Sequence, residues 1–255
     1  MINSINKKNG LRKVMIVVGM CFVLGLFSGC LDLSDETNEN QTGNTTENIT
    51  ESIDSTEATS DEQITSEANI GGTTDDLAGL AVTFLDVGQG NAVLFSCDDH
   101  YMMMDGGPSS ASSFVVAYLK KQNIESLDYV IASHYDSDHI NGLVGVLNVF
   151  DTETFIGPDY VADTKIYDSL IDKLAAQNLT ITFPKAGDSY TFGDAVFTIV
   201  APITYSDDNE NDNSNVIYTE LNGYKFMFMG DASSTTEKEI LNKYNLPDID
   251  VLKVG

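Results

Sequence analysis

The sequence predicts a layered α/β fold in which two sheets pack face to face with helices outside. Three observations carry this. From about Leu77 onward, strand and helix patterns alternate. Strands outnumber helices, and the helices are well spaced. The strand-like runs are apolar enough to need cover on at least one face. The chain has 255 residues, of which 42% are hydrophobic. That suffices for one sizeable domain with extras. No internal repeat or second boundary divides the region 77–255, which is read as one domain.

In chain order, "LAVTFLDVG" reads as a strand and "GQGN" as a tight turn. "AVLFSC" and "YMMMDGG" are the next strands, joined by the polar turn "DDH". "SSASSFVVAYLKKQN" has a helical face of Phe114, Val115, Tyr118 and Leu119, with Ser109 or Ser110 as its cap. "LDYVIASH" is a buried strand ending at His134, and "HINGLVGVLNVF" is a short helix weakened by glycines. After the strand "TETFIGP", "DTKIYDSLIDKLAAQN" is the best helix, with Ile166, Leu170, Ile171 and Leu174 on one stripe and Asp163 as N-cap. "LTITFPK", "YTFG", "AVFTIVAP", "SNVIYTELN" and "YKFMFMGD" read mostly as strands. "STTEKEILNKYN" is a helix, and "IDVLKV" a final strand.

Ahead of the domain, residues 1–29 read as a secretory leader. A basic stretch, "NKKNGLRK", precedes the apolar run Val14–Phe27 and the small residues of "SGC". The Cys after Ser28-Gly29 resembles a lipoprotein signal, in which Cys30 becomes the lipidated first residue. The competing reading is an uncleaved anchor, but the apolar run is shorter than the roughly 20 residues a span needs. Either way the remainder is expected on the extracytoplasmic face of the cell membrane. Residues 30–76 are rich in Thr, Asn, Glu and Ser and hold no Lys or Arg. They are expected to form a disordered acidic linker. With Cys21 in the leader and Cys30 expected to carry lipid, Cys97 is the one cysteine left, so no internal disulfide is expected. It sits in an apolar strand and reads as a buried small residue.

Charge restricts the partners. The formal net charge is −26, and the region after residue 30 holds nine lysines and no arginine. Proteins that track a nucleic-acid backbone do so with Lys and Arg. A long nucleic-acid track is therefore not expected.

The chemistry centres on "SHYDSDHINGL". His134, Asp136, Asp138 and His139 lie within six residues, just past a buried strand. In an extended segment alternate residues project to one side, so His134, Asp136 and Asp138 can line one face, with His139 added as a helix begins. Imidazole and carboxylate together suit a divalent metal such as Zn, Mn or Fe. The plainer reading is a solvated turn with helix-capping aspartates. The acidic run "SDDNENDN" lacks the glycine and terminal glutamate of an EF-hand, which excludes that calcium loop.

The metal loop resembles the His-x-His-x-Asp-His motif of the metallo-β-lactamase superfamily, with Asp136 in place of the second His. That variant is similar to the C-terminal hydrolase-like domain of ComEC-type competence proteins. "FLDVGQGNAVLF", "MMMDGG", "IASHYDSDHINGL", "NDNSNVIYTEL", "YKFMFMGD" and "DVLKVG" match that domain in order, from about Leu80 to Gly255. The resemblance implies an αββα sandwich binding one or two divalent ions, Zn or Mn, at one edge between the sheets. It implies His134 and Asp136 on a first metal, Asp138 and His139 on a second, and Asp231 bridging. Asp138 would also orient the attacking water. Asp105 matches the aspartate that supports the metal loop, and Asp212, Asn213 and Ser214 match a stretch near the site. In the plainer readings Asp231 caps the following helix and Asp105 makes a turn with the glycines after it. Asn91 replaces the aspartate usual in "GQGD", which puts a local contact in question. The family's His-His-Gly-Ser string would follow Gly255, so the domain is expected to be C-terminally incomplete and one ligand short. The activity the resemblance implies is a metallo-hydrolase of phosphodiesters; the acidic charge favours a small phosphodiester or ester as substrate, with single-stranded DNA as the polymeric alternative. The alternative is a degenerate surface lipoprotein that keeps the fold for binding.

Overall fold

The computed structural model of the chain describes residues 15–19, 79–221 and 223–255. Cys30, the linker 30–76 and most of the leader 1–29 lie outside the described residues. Twelve strands and four α-helices are present among the described residues. They are β1 (Met15–Gly19), β2 (Ala81–Leu85), β3 (Val93–Cys97), β4 (His100–Met104), α1 (Ser112–Lys121), β5 (Ser126–Ile131), α2 (Ser137–Leu147), β6 (Asp151–Ile156), α3 (Lys165–Ala176), β7 (Ile181–Thr182), β8 (Ser189–Phe192), β9 (Ala195–Ala201), β10 (Val216–Leu221), β11 (Tyr224–Phe228), α4 (Ser234–Lys243) and β12 (Val251–Lys253). A 3-10 turn, Glu210–Asn213, precedes β10.

One sheet runs β1-β2-β3-β4-β5-β6-β7, the other β12-β11-β10-β9-β8. β2, β3 and β4 form an antiparallel meander, and β4 to β7 are parallel neighbours through helical crossovers. The second sheet is antiparallel from β8 to β11 and closes with β12 parallel to β11.

Strand alternation explains the layers. In β3, Val93, Phe95 and Cys97 face the second sheet, and Met102 and Met104 of β4 join them. They meet Phe197, Ile199, Ile217, Phe226 and Phe228 in a continuous core between the sheets. Leu94 and Met103, one residue out of phase, point the other way and pack under α1, α2 and α3 with Val115, Leu143 and Leu170. On the far side Val216, Met227 and Ile240 pack α4 against the second sheet. Each sheet is thus buried on both faces, the αββα arrangement that the sequence predicts. Cys97 is buried within it, as expected.

Several boundaries differ from expectation. α1 starts after Ala111 with no side-chain cap, so neither Ser109 nor Ser110 serves. The α3 cap is Thr164, whose hydroxyl accepts the Tyr167 N–H at 3.2 Å, rather than Asp163. Its buried stripe runs through Tyr167, Leu170 and Leu174, and Ile171 is left 38% exposed. Tyr167 wins because its ring meets that of Tyr135, in the loop that follows β5, edge to face. Met15–Gly19, within the run read as a leader, pairs in parallel with β2. A short segment of Ile and Val satisfies its backbone at a free sheet edge as readily as it fills an apolar leader. Among the described residues no helix is long and apolar enough to cross a membrane.

Candidate metal centre

The site forms where loops after β4, β5 and β11 meet at one edge of the sandwich. β5 delivers Ser133 and His134, both fully buried. The chain then turns, and Asp136 takes the N-cap position of α2 in an extended conformation. Its carboxylate accepts no N–H of the helix. Instead Asp136 Oδ2 lies 3.5 Å from His134 Nε2. That disfavours the capping-aspartate reading. The first turn of α2 places His139 in contact with His134, their ring centroids 4.2 Å apart. Asp231 arrives from the turn after β11, where Gly230 has φ +57. A side chain at Gly230 would put Cβ 2.7 Å from that of Ser133, so only glycine lets the two loops approach.

Asp105 organises the floor. Fully buried, it accepts four hydrogen bonds: from Ser133 N at 2.7 Å, Ser133 Oγ at 2.7 Å, Asn91 Nδ2 at 2.9 Å and His139 Nδ1 at 2.9 Å. Burial alone would raise its pKa. The His139 charge and hydrogen bond, with His134 and the Ser133 N–H, outweigh that and hold the carboxyl below the usual range. The turn-forming reading of Asp105 is therefore insufficient. Asn91, where the family has an aspartate, is a donor to this carboxylate. The contact put in question by the substitution exists, in amide form.

The same network fixes both imidazoles. With its Nδ1–H given to Asp105, His139 keeps Nε2 for the cluster, where Asp231 Oδ1 lies 3.4 Å away. His134 Nδ1 is 3.0 Å from Ser133 Oγ, whose own proton goes to Asp105. This leaves His134 Nε2 as acceptor. That nitrogen is buried and has no hydrogen-bond partner. His134, His139 and Asp231 each offer one ligand atom, all within 4.8 Å of one another. An orphaned imidazole nitrogen, a second imidazole and a carboxylate fit a divalent ion with N and O preference, such as Zn or Mn.

The titrations follow from the pairs. Burial pushes His139 down, but Asp105 and Asp231 outweigh it and lift its pKa to about 10. The contact with His139 lowers Asp231 against the effect of burial, and the contact with His134 does the same for Asp136.

Of the expected ligands, the structure gathers His134, His139 and Asp231, one histidine from each implied pair plus the bridging residue. Asp136 stands beside them at the rim. Asp138 stands outside this group, half-exposed on the first turn of α2; its carbonyl accepts the Asn91 N–H at 3.4 Å, and its carboxylate has no hydrogen bond or ion pair among the described residues. Asp212, Asn213 and Ser214 support the site from outside. Ser214 Oγ accepts the Asp231 N–H at 3.3 Å. Asp212 accepts from Ser233 N and Thr236 Oγ1, both at 3.1 Å, which pins the start of α4. Asp231 therefore does not cap that helix; Ser233 does. Asn213 closes the preceding loop through Ser206 N and O.

Two further residues matter, Ser133 and Asn215. Asn215 N donates to Ser133 O at 2.8 Å and its Nδ2 to Ala132 O at 3.1 Å, tying the second sheet to the metal loop. Ser133 stands in the metal-loop string itself. Asn215 is signalled only by a polar residue opening an apolar strand.

The family model described as Metallo-beta-lactamase superfamily matches residues 85–253. The chain belongs to the metallo-beta-lactamase superfamily. Among curated relatives it is 23% identical over 192 residues to ComE operon protein 3 of Bacillus subtilis (strain 168), covering 68% of this chain and 25% of that protein. It is 28% identical over 179 residues to Recombination protein 2 of Haemophilus influenzae, covering 68% of this chain and 21% of that protein. The chain thus spans a quarter or less of the length of these relatives. Among solved structures it is similar to BJP-1, a subclass B3 metallo-beta-lactamase of Bradyrhizobium japonicum, with TM-score 0.45 and 12% identity over 64% of this chain and 70% of that one. The chain carries a hydrolase-like domain of this superfamily, and it is also 24% identical over 165 residues to Competence protein ComA of Neisseria gonorrhoeae, covering 64% of this chain and 21% of that protein.

Proposed function

We propose that the chain is a metal-dependent hydrolase of phosphodiesters or small esters, held at the extracytoplasmic face of the membrane by lipid on Cys30. One observation carries the catalytic reading. His134 Nε2 is buried, meets the Asp136 carboxylate at 3.5 Å without forming a hydrogen bond, and shares a small space with His139 and Asp231. Leaving such a nitrogen unsatisfied is costly unless something fills its lone pair. A divalent ion held there supplies a Lewis acid and a water of lowered pKa. The chain's own residues do the rest. Asp105 and Ser133 hold both rings in the tautomer that presents Nε2. Asp138, half-exposed and uncommitted, orients the attacking water from the first turn of α2.

Charge favours a small substrate. With nine lysines and no arginine after residue 30, the domain offers no basic track for a polynucleotide. The likeness to Recombination protein 2 still makes single-stranded DNA a substrate to test. The second reading, a non-catalytic lipoprotein that keeps the fold for binding, is favoured by the separation of Asp138 from the other ligands.

The test is hydrolysis of bis(p-nitrophenyl) phosphate and of a single-stranded oligonucleotide by zinc- or manganese-loaded protein, beside His134→Ala and Asp231→Ala. Activity in the wild type that both variants lose supports the hydrolase. Equal rates in all three would sink it. For the anchor, Cys30→Ala should release the protein from membranes, and continued attachment would contradict lipidation.

A further inference from the structure

Lys253 is a cation that the metal cluster leaves unused. In β12, Val251 packs into the layer between the sheets, whereas Leu252 faces outward and is 55% exposed. The two-residue period of a strand turns Lys253 back to the inner side. Its carbonyl accepts the Met229 N–H at 2.9 Å, two residues before Asp231, and it lies opposite Phe228. Two residues further on, a Cβ at Gly255 would sit 2.7 Å from Asp231 Oδ1, so the end of β12 runs along the site. The Lys253 side chain is half-buried, and its ammonium has no hydrogen bond or ion pair within 4.0 Å among the described residues. Burial lowers its pKa, and the charges of Asp105 and Asp231 raise it, which places the ammonium within electrostatic reach of both. Acids stand near the cluster: Asp136 lies 3.5 Å from His134, and its charge and that of Glu210 both reach Tyr160. A half-buried ammonium without a hydrogen-bond partner among the described residues has given up part of its hydration for no more than longer-range attraction to Asp105 and Asp231.

We propose that Lys253 is the anion-binding arm of this site, receiving a non-bridging oxygen of a substrate phosphate beside the metal cluster. This rests on the reading of the site as a hydrolytic metal centre and specifies the substrate class as a phosphate diester rather than a neutral ester. It also reconciles an acidic domain with an anionic substrate: one positioned cation serves one phosphate, where a polymer would need many.

The test compares wild type with Lys253→Met, Lys253→Gln and Lys253→Arg. Bis(p-nitrophenyl) phosphate binding is followed by calorimetry on metal-free and zinc-loaded full chain. Zinc binding is measured in parallel and folding is checked by thermal melts. Loss of a charge-assisted hydrogen bond should weaken ester binding by about tenfold or more. That loss is expected in the Met and Gln variants, with Arg close to wild type and zinc held in all four. Steady-state kinetics should show KM rising for the phosphate diester in the charge-free variants and unchanged for p-nitrophenyl acetate. A charge-free variant that holds zinc and binds the diester as tightly as wild type overturns the arm alone, as does a zinc-loaded wild type that binds no diester. A wild type that binds no zinc overturns the hydrolytic reading, and the arm with it.

Discussion

At the scale of single residues, the site depends on one buried carboxylate and the donors that surround it. Asp105 accepts from Asn91, Ser133 and His139. Replacing Asn91 by Asp would set a second carboxylate against it in a buried place. We expect Asn91→Asp to cost about 1–3 kcal/mol at neutral pH, measured by chemical denaturation. An unchanged midpoint would mean that the Asn91 amide is not needed there. Ser133→Ala removes the hydroxyl between Asp105 and His134. It should weaken zinc affinity about 10- to 100-fold, as changes behind a ligand do, with a smaller loss of stability. Competition with a chromophoric chelator would show it. The two histidines of the candidate cluster are legible in "SHYDSDHINGL", because density of His and Asp after a buried strand is a local signal. The third candidate ligand and the supporting residues are less so. Asp105 and Asp231 were reached through the resemblance, since no spacing rule joins residues so far apart in sequence. The hydroxyl of Ser133 was invisible because its role is set by rotamer and neighbours, not by pattern.

At the scale of elements, close backbone approach positions the helix that carries His139. Gly106 N donates to His139 O at 2.7 Å and Gly142 N to Gly107 O at 3.0 Å, so the turn after β4 lies directly on α2. A Cβ at Gly142 would collide with the carbonyl of Gly106. Gly142→Ala should raise intrinsic helix propensity yet destabilise the fold by about 1–3 kcal/mol, because the contact cannot yield without moving His139. A gain in melting temperature would contradict this packing. The glycines that read as a weakness of the α2 helix are the condition for its docking. Strands and helices were legible as such, since both periods were strong. Cap positions and the α3 stripe were not, because several polar residues precede each helix and Tyr167 is chosen by a tertiary contact with Tyr135. The edge strand β1 was likewise beyond the sequence, where one apolar run serves equally as leader or strand.

At the scale of the whole molecule, the cluster ties stability to pH and metal. In the metal-free protein His139 has its pKa raised from 6.5 to about 10. Its contribution to stability is full below about 6.5 and is lost as pH rises toward 10. Asp105 and Asp231 are lowered from 3.8, so their contributions hold above that value and are lost as pH falls through their lowered pKa values. Metal-free protein should therefore melt at progressively lower temperature from pH 6.5 to 10, and His139→Gln should flatten that slope. An equally steep slope in the variant would assign the effect elsewhere. Zinc must displace the same proton, so its affinity should rise over this window. The αββα layering follows from apolar runs needing cover on at least one face, while the convergence of three loops at one edge is a property of the folded chain alone. The account turns on whether His134, His139 and Asp231 hold a metal. Equilibrium dialysis against zinc, followed by elemental analysis, tests this directly. Zinc retained by wild type and lost from both His134→Ala and Asp231→Ala is the result expected. Equal retention by all three, or none by wild type, would contradict it.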